Sequence, residues 1–270
     1  MRAAVGRFIE CLSLSRIPLT VRQQVRLLDS VDDCLKHPNE KVQSAAGSAL
    51  SALLRSYFPV GPTGPSVRLR GRVVQKYTDI VRTEDNPAAT RGYALALGRI
   101  PRKLLAPDEH TLGGVLACLI DAVGVDRKVG DEGDAETRRN AVLSLTAVCE
   151  EVGVEEDGGD GDPNGGEAAA AAKAGVVGLS GEHVEMVFNA LLASLGDYNS
   201  DRRGDVGSWS RIAAMRGLVS LTLLSVRASS SVPHLRRKAA PAASTSADHG
   251  AAADRSLPVP SLSERESYLE

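Results

Sequence analysis

The residues that could do chemistry here are five histidines, four cysteines and one Asp- and Gly-rich stretch. His37, His110, His183, His234 and His249 are scattered, and none stands at metal or triad spacing from a Cys or Glu. Cys11, Cys34, Cys118 and Cys149 lie far apart, whereas a zinc site announces itself by ligand pairs at short spacing. Asp160-Gly161-Asp162-Pro163-Asn164-Gly165 opens like a calcium-binding EF-hand loop. Such a loop needs a bidentate Glu at its twelfth position, and that position is Ala171. A disordered acidic insertion is the better reading. No Gly-rich loop ends in Lys-Ser or Lys-Thr, and there is no Gly-x-Ser-x-Gly elbow. The expectation is no catalytic set, no metal and no cofactor: a protein that binds rather than transforms.

Composition points the same way. Lys plus Arg is 32 and Asp plus Glu is 34, without the basic surplus of a nucleic-acid binder. Aromatics make up 3%, and the abundance of Ala, Leu, Val and Gly suits closely stacked helices better than strands. The cysteines read as buried free thiols in a reducing compartment. The N-terminus carries no secretory pattern, and no uninterrupted apolar run reaches the length of a membrane span. A cytoplasmic protein with no membrane partner is expected.

Apolar stripes at helical period mark the elements. A first helix covers about 1–15, and Val21, Val25, Leu28, Val31 and Leu35 stripe the next. Val42 to Tyr57 completes a hairpin with it, and Phe58 to Ser66 is a loop. A helix around Val73–Val81 is followed by one that Asn86-Pro87 starts and Pro101 stops. Leu112 to Val123 pairs with a helix striped by Ala141, Val142, Leu145, Val148 and Cys149 across a charged loop, 125–134. Residues 155–178 are Gly, Asp, Glu and Ala, with too little apolar surface to offset the entropy of ordering. Ser180 caps the next helix, and an apolar helix runs to about Val226. The solenoid therefore spans 1–227, and 228–270, rich in Ser, Ala, Pro and charge, is a disordered tail holding the short basic cluster 233–238.

Aligning the second helix of each hairpin exposes a repeat. Val42, Arg91, Arg138 and Arg211 share a column, and Ala45, Ala94, Ala141 and Ala214 stand three residues on. The intervals are 49 (91 − 42), 47 (138 − 91) and 73 (211 − 138). Without the insertion of about 25 residues the last becomes about 48, close to the period of roughly 40–47 of HEAT and armadillo repeats. The pattern predicts an all-α solenoid of four hairpins plus one leading helix. The column arginines are expected to reach back along their own helices to acids near the turn.

The most particular wording lies between the last two helices. Asp197, Tyr198, Asp201, Arg203, Gly204, Asp205, Val206, Gly207, Trp209, Arg211, Ala214 and Met215 form a polar joint that becomes a helix. Gly204 and Gly207 allow the turn, and Asp205 can cap the helix that begins there. Its Arg-Gly-Asp tripeptide is explained by that joint rather than by adhesion. This wording resembles the tubulin-specific chaperone D (tubulin-folding cofactor D) family. Ser210 and Ile212 depart from it, where an apolar and an acidic residue are expected. Thr90-Arg91-Gly92-Tyr93-Ala94-Leu95-Ala96-Leu97-Gly98 is similar to the same family at a corresponding place in an earlier repeat.

The resemblance covers about 38–226 and implies a fragment from the C-terminal part of a longer protein. It implies a scaffold for post-chaperonin folding of β-tubulin and for assembly or disassembly of the αβ-tubulin heterodimer. Implied partners are tubulin-folding cofactors C and E and an Arf-like small GTPase, with stimulation of tubulin GTP hydrolysis belonging to the complex. Tubulin is acidic, so the candidate partner-binding residues are Arg202, Arg203, Asp205, Trp209 and Arg211, with core packing expected first for Trp209. A generic HEAT scaffold for transport or phosphatase assembly is the alternative.

Overall fold

A computed structural model describes residues 1–59, 67–124, 134–155 and 176–230. The described elements are α1 (Arg2–Leu14), α2 (Val21–Leu35), α3 (Glu40–Tyr57), α4 (Val67–Thr83), α5 (Pro87–Leu97), α6 (Arg102–Leu105), α7 (Glu109–Val123), α8 (Ala135–Val152), α9 (Gly181–Ser194) and α10 (Gly207–Ser230), with a minimal antiparallel pair, β1 (Ser200–Asp201) and β2 (Gly204–Asp205), between α9 and α10. The fold is all-α and solenoid-like. Hairpins α2/α3, α4/α5, α7/α8 and α9/α10 succeed one another, with α1 leading.

Each start has a local cause. Asn39, Asn86, Asp108, Asp134 and Ser180 accept first-turn amide protons of α3, α5, α7, α8 and α9, groups that otherwise lack partners. Thr20 and Gln23 form a reciprocal capping box on α2, a start signal beyond the apolar stripe. α5 stops at Leu97, short of the expected end near Ile100, and the four-residue α6 was not foreseen. α10 continues past Arg227 to Ser230; residues 231–270, and the basic cluster within them, lie outside the described residues.

The flanks of the insertion are ordered, in contrast to the expectation for 155–178. Val154 bridges Leu179 in parallel, the Glu155 amide donates to the Leu179 carbonyl at 2.9 Å, and the Val177 amide donates to Ala106 at 3.0 Å. Satisfying these buried backbone groups holds Glu155 and 176–178 in place. The EF-hand-like stretch 160–171 lies outside the described residues.

The core runs the length of the stack. Alanines 46, 49, 94, 96, 141 and 214 are buried with Leu50, Leu53, Leu97, Leu116 and Leu145. Close approach is visible at Gly98, where a Cβ would lie 2.7 Å from Ser144 Cα. Tyr77 and Tyr93 meet edge to face at 4.9 Å, and the Tyr77 hydroxyl donates to buried Asp32 at 2.7 Å.

Although no uninterrupted apolar run reaches a bilayer's thickness, α10 is long and apolar enough to cross a membrane by length and composition. It packs on α8 and α9, with Ala213, Ala214 and Leu221 buried, and 22% of its membrane-length window is buried.

Cys34, Cys118 and Cys149 are buried as expected, but Cys11 is exposed. Burial pushes the Cys118 thiol up to about 11 and Cys149 up to about 12, so neither is a thiolate near neutrality. An aromatic disulfide reagent at pH 8 should therefore titrate one thiol promptly in the native chain and four in denaturant. Prompt reaction of two or more native thiols would contradict this packing.

Candidate protein-binding site

The second helices of the hairpins lie side by side with their N-termini along one edge, and the column arginines sit one turn in. Arg91 and Arg138 do not reach back along their own helices, as expected from sequence; they reach forward to the next unit. Arg91 Nε and Nη2 each lie 3.2 Å from the Asp134 carboxylate. Asp134 also accepts the Thr137 amide at 2.9 Å, so one acid caps α8 and ties it to α5. Arg138 Nε donates to Asp197 Oδ2 at 3.0 Å, with side chains only 7% and 10% exposed. Asp134 is favoured twice, by the α8 N-terminus that it caps and by the Arg91 guanidinium. Arg211 alone behaves as expected, pairing with Asp205 beside its own turn and donating to the Asp197 carbonyl.

Burial by itself raises the Asp197 carboxyl; the Arg138 bond, the Asn199 amide and the Arg138 charge outweigh it and hold it below the usual carboxylate range. Asp134 behaves alike, with Thr137, Glu136 and Arg91 prevailing over burial.

The joint is built on two glycines. Gly204 has φ of +100°, where a side chain would be strained. At Gly207 a Cβ would lie 2.7 Å from the Asp197 carbonyl carbon and nearer still to its oxygen. The Ser208 amide donates to Asp205 Oδ1 at 3.0 Å, which is the cap expected there. Buried Val206 anchors the turn. Arg202 and Arg203 form the two-residue connection between β1 and β2.

Trp209 is not a core residue. It is half-buried, and two cations lie over its ring: Arg203 at 5.1 Å and Arg139 at 5.8 Å from the centroid. Arg203 pairs with Asp201 at 2.7 Å and with Glu136 at 2.5 Å, and Arg139 pairs with Glu40 at 2.8 Å. The hydrogen bonds from Arg203 and its charge draw the Asp201 carboxyl down. Arg211 covers the ring of Tyr198 at 4.5 Å, and Tyr198 is 76% exposed. Stacked guanidinium and aromatic planes present flat, amphipathic area to a partner at low conformational cost.

Of the five candidate residues, Arg203 and Trp209 come together, and so do Asp205 and Arg211. Arg202 stands apart at the exposed tip, with no ion pair among the described residues. Sequence reasoning missed Tyr198, Arg139 and Glu136 as members of this edge. The one signal for Arg139 was its place beside a column residue. Among the described residues no group of His, Cys, Asp and Glu could hold a metal ion.

Stacked helical hairpins with an aromatic and charged edge define an all-α, solenoid-like protein, an architecture that offers extended side surfaces. The chain is similar to Tubulin-specific chaperone D of Dictyostelium discoideum, with 25% identity over 186 residues, covering 68% of this chain. It spans 12% of the length of that relative. No protein-family model matches the chain, and no solved structure matches it.

Proposed function

We propose that this chain is a non-enzymatic scaffold that binds tubulin in the cytoplasm, through the edge formed by the joint before α10. The observation that carries the reading is the exposure, on one edge, of the joint residues whose wording resembles the chaperone D family. Arg203 lies over Trp209 there, Arg211 lies over Tyr198, and Arg202 is exposed at the tip of the joint; a relative named for tubulin aligns with most of the chain. The finer parts of the reading belong with it: β-tubulin as the subunit gripped, cofactors C and E and an Arf-like small GTPase as partners, and GTP hydrolysis stimulated only in their company. The proposed organisation is one solenoid unit carried through to the end of α10 at Ser230, with an insertion between Glu155 and Val176 and a tail after Ser230.

Arg203 and Arg211 hold the joint itself together, so reversing them would confound folding with binding. Arg202 does not carry that burden. Arg202→Glu is expected to lower capture of purified αβ-tubulin about fivefold, roughly 1 kcal/mol for a reversed rim charge, with unchanged helical circular dichroism. Tyr198→Ala should act in the same direction. Unchanged capture by both variants would remove the joint from the binding surface. A folded, unaltered chain that captures no tubulin would overturn the function and favour a general helical-repeat scaffold.

A further inference from the structure

Glycine inside a helix lowers stability and calls for a reason. At Gly6 and Gly92 the reason is a neighbouring helix, whose backbone a Cβ would meet at 3.0 Å or closer. Gly71 of α4 and Gly114 of α7 have no such neighbour: at either, a Cβ would meet nothing within 4 Å. Both line the same groove.

That groove lies between α4, α6 and α7 and has a volume of about 510 Å³, inside the range of roughly 300–1,000 Å³ usual for binding sites. Its floor is apolar, with Val74, Leu104 and Val115 all buried. α4 and α7 are the first helices of two consecutive hairpins. The groove therefore lies within the stack and not at either end of it, and both of its walls are already in place.

The rim is basic. Arg82 of α4, Lys103 of α6 and His110 of α7 are exposed along it. Arg82 donates to the Gly114 carbonyl at 3.3 Å, yet neither Arg82 nor Lys103 has a carboxylate partner among the described residues. Arg91, Arg138 and Arg139, by contrast, each face one. Asp108, the acid on the rim, is occupied in capping α7: it accepts from the Thr111 amide at 2.7 Å and from the Thr111 hydroxyl at 3.0 Å. Unmatched cations above an apolar floor are complementary to carboxylates flanking an apolar side chain. The lining offers no aromatic ring on which a nucleobase would stack.

We propose that the groove between α4, α6 and α7 binds a short acidic peptide segment of a partner protein. An apolar side chain of the peptide lies on Val74, Leu104 and Val115, and its carboxylates face Arg82 and Lys103. Gly71 and Gly114 keep the walls low enough for the peptide backbone to enter. This site is separate from the joint before α10 and goes beyond the function proposed for that edge.

Fluorescence anisotropy of the full chain with a fluorescein-labelled peptide, a central leucine between pairs of glutamates, tests this. Saturable binding is expected, at least about tenfold weaker for the same peptide with glutamine in place of glutamate, and weaker as salt is added. Lys103→Glu should weaken it about fivefold or more. Gly114→Leu should fill the groove and abolish binding while the urea midpoint stays level or rises, since leucine is the better helix former. Loss of binding therefore cannot be put down to unfolding, and Gly71→Leu repeats the test should Gly114→Leu lose helicity. No saturable binding by the unaltered chain overturns the proposal. So does equal affinity for the glutamine peptide, or unaltered affinity in both leucine variants. Equally tight binding of a single-stranded oligonucleotide of the same charge also overturns it, by showing a surface that takes any polyanion.

Discussion

Gly92→Ala is expected to destabilise the fold by about 3 kcal/mol, at the upper end of what overpacking usually costs. A Cβ at this position of α5 would lie 2.7 Å from the Leu35 carbonyl carbon and nearer still to its oxygen. Those atoms are backbone at the end of α2, and the same carbonyl accepts from the Gln43 amide at 3.0 Å. Gln43 also donates to the Ala88 carbonyl at 2.7 Å, so α2, α3 and α5 are tied at one point and cannot separate singly. Gly113→Ala is the control. There the nearest atom, His183 Nε2, is at 3.5 Å, an ordinary contact, and Ala in a helix interior should stabilise by roughly 0.5–1 kcal/mol. Urea unfolding of both variants decides the matter. A Gly92→Ala variant within about 0.5 kcal/mol of the unaltered chain would mean that α5 does not lie against the end of α2.

Arg138→Met should cost a comparable amount, about 3 kcal/mol, because removing one member of a buried ion pair leaves the other charge unmatched. The pair is almost covered, and Asp197 has few other donors. Arg138→Met with Asp197→Asn should recover part of the loss. Acid gives the sharper signature. In the unaltered chain Asp197 titrates below its unfolded value of about 3.9, so its contribution is present above pH of about 4 and disappears as pH falls through the folded pKa. Without Arg138, burial is left to raise that carboxyl. The penalty then exists only while Asp197 is charged, and the difference between variant and unaltered chain should narrow on acidification. Thermal midpoints measured from pH 7 to pH 3 would show it; a constant difference would mean that Asp197 is not the group Arg138 serves.

The architecture was legible because its cause is local. Ala and Leu stripes at helical period, with caps such as Asn86 and Ser180, are written in neighbouring residues. What escaped depends on distance or brevity. Arg91 and Asp134 are 43 residues apart, and Arg138 and Asp197 are 59, so the direction of their reach is set only by how units stack. α6 has four residues between Pro101 and Pro107, too few to show a period. The β1–β2 pair has no apolar alternation to announce it. Trp209 was expected in the core because large aromatics usually are, yet flanking arginines let a ring be satisfied at the surface. The wording at Arg91–Gly98 now has a packing account, with Arg91 on Asp134, Gly92 under Leu35, Tyr93 on Tyr77 and Gly98 against Ser144. In the joint, Arg202 has no such account.

The Val154–Leu179 bridge has a consequence for how this chain can change over evolutionary time. Because departure and return are fastened side by side, the stretch they bracket can lengthen, shorten or acquire new composition while the spacing of α8 and α9 stays put. Closing a longer excursion adds only a logarithmic entropic term. The repeat lattice is thereby insulated from the length of what lies between them, and a fluorescent or affinity module could be housed there without retuning the helices on either side.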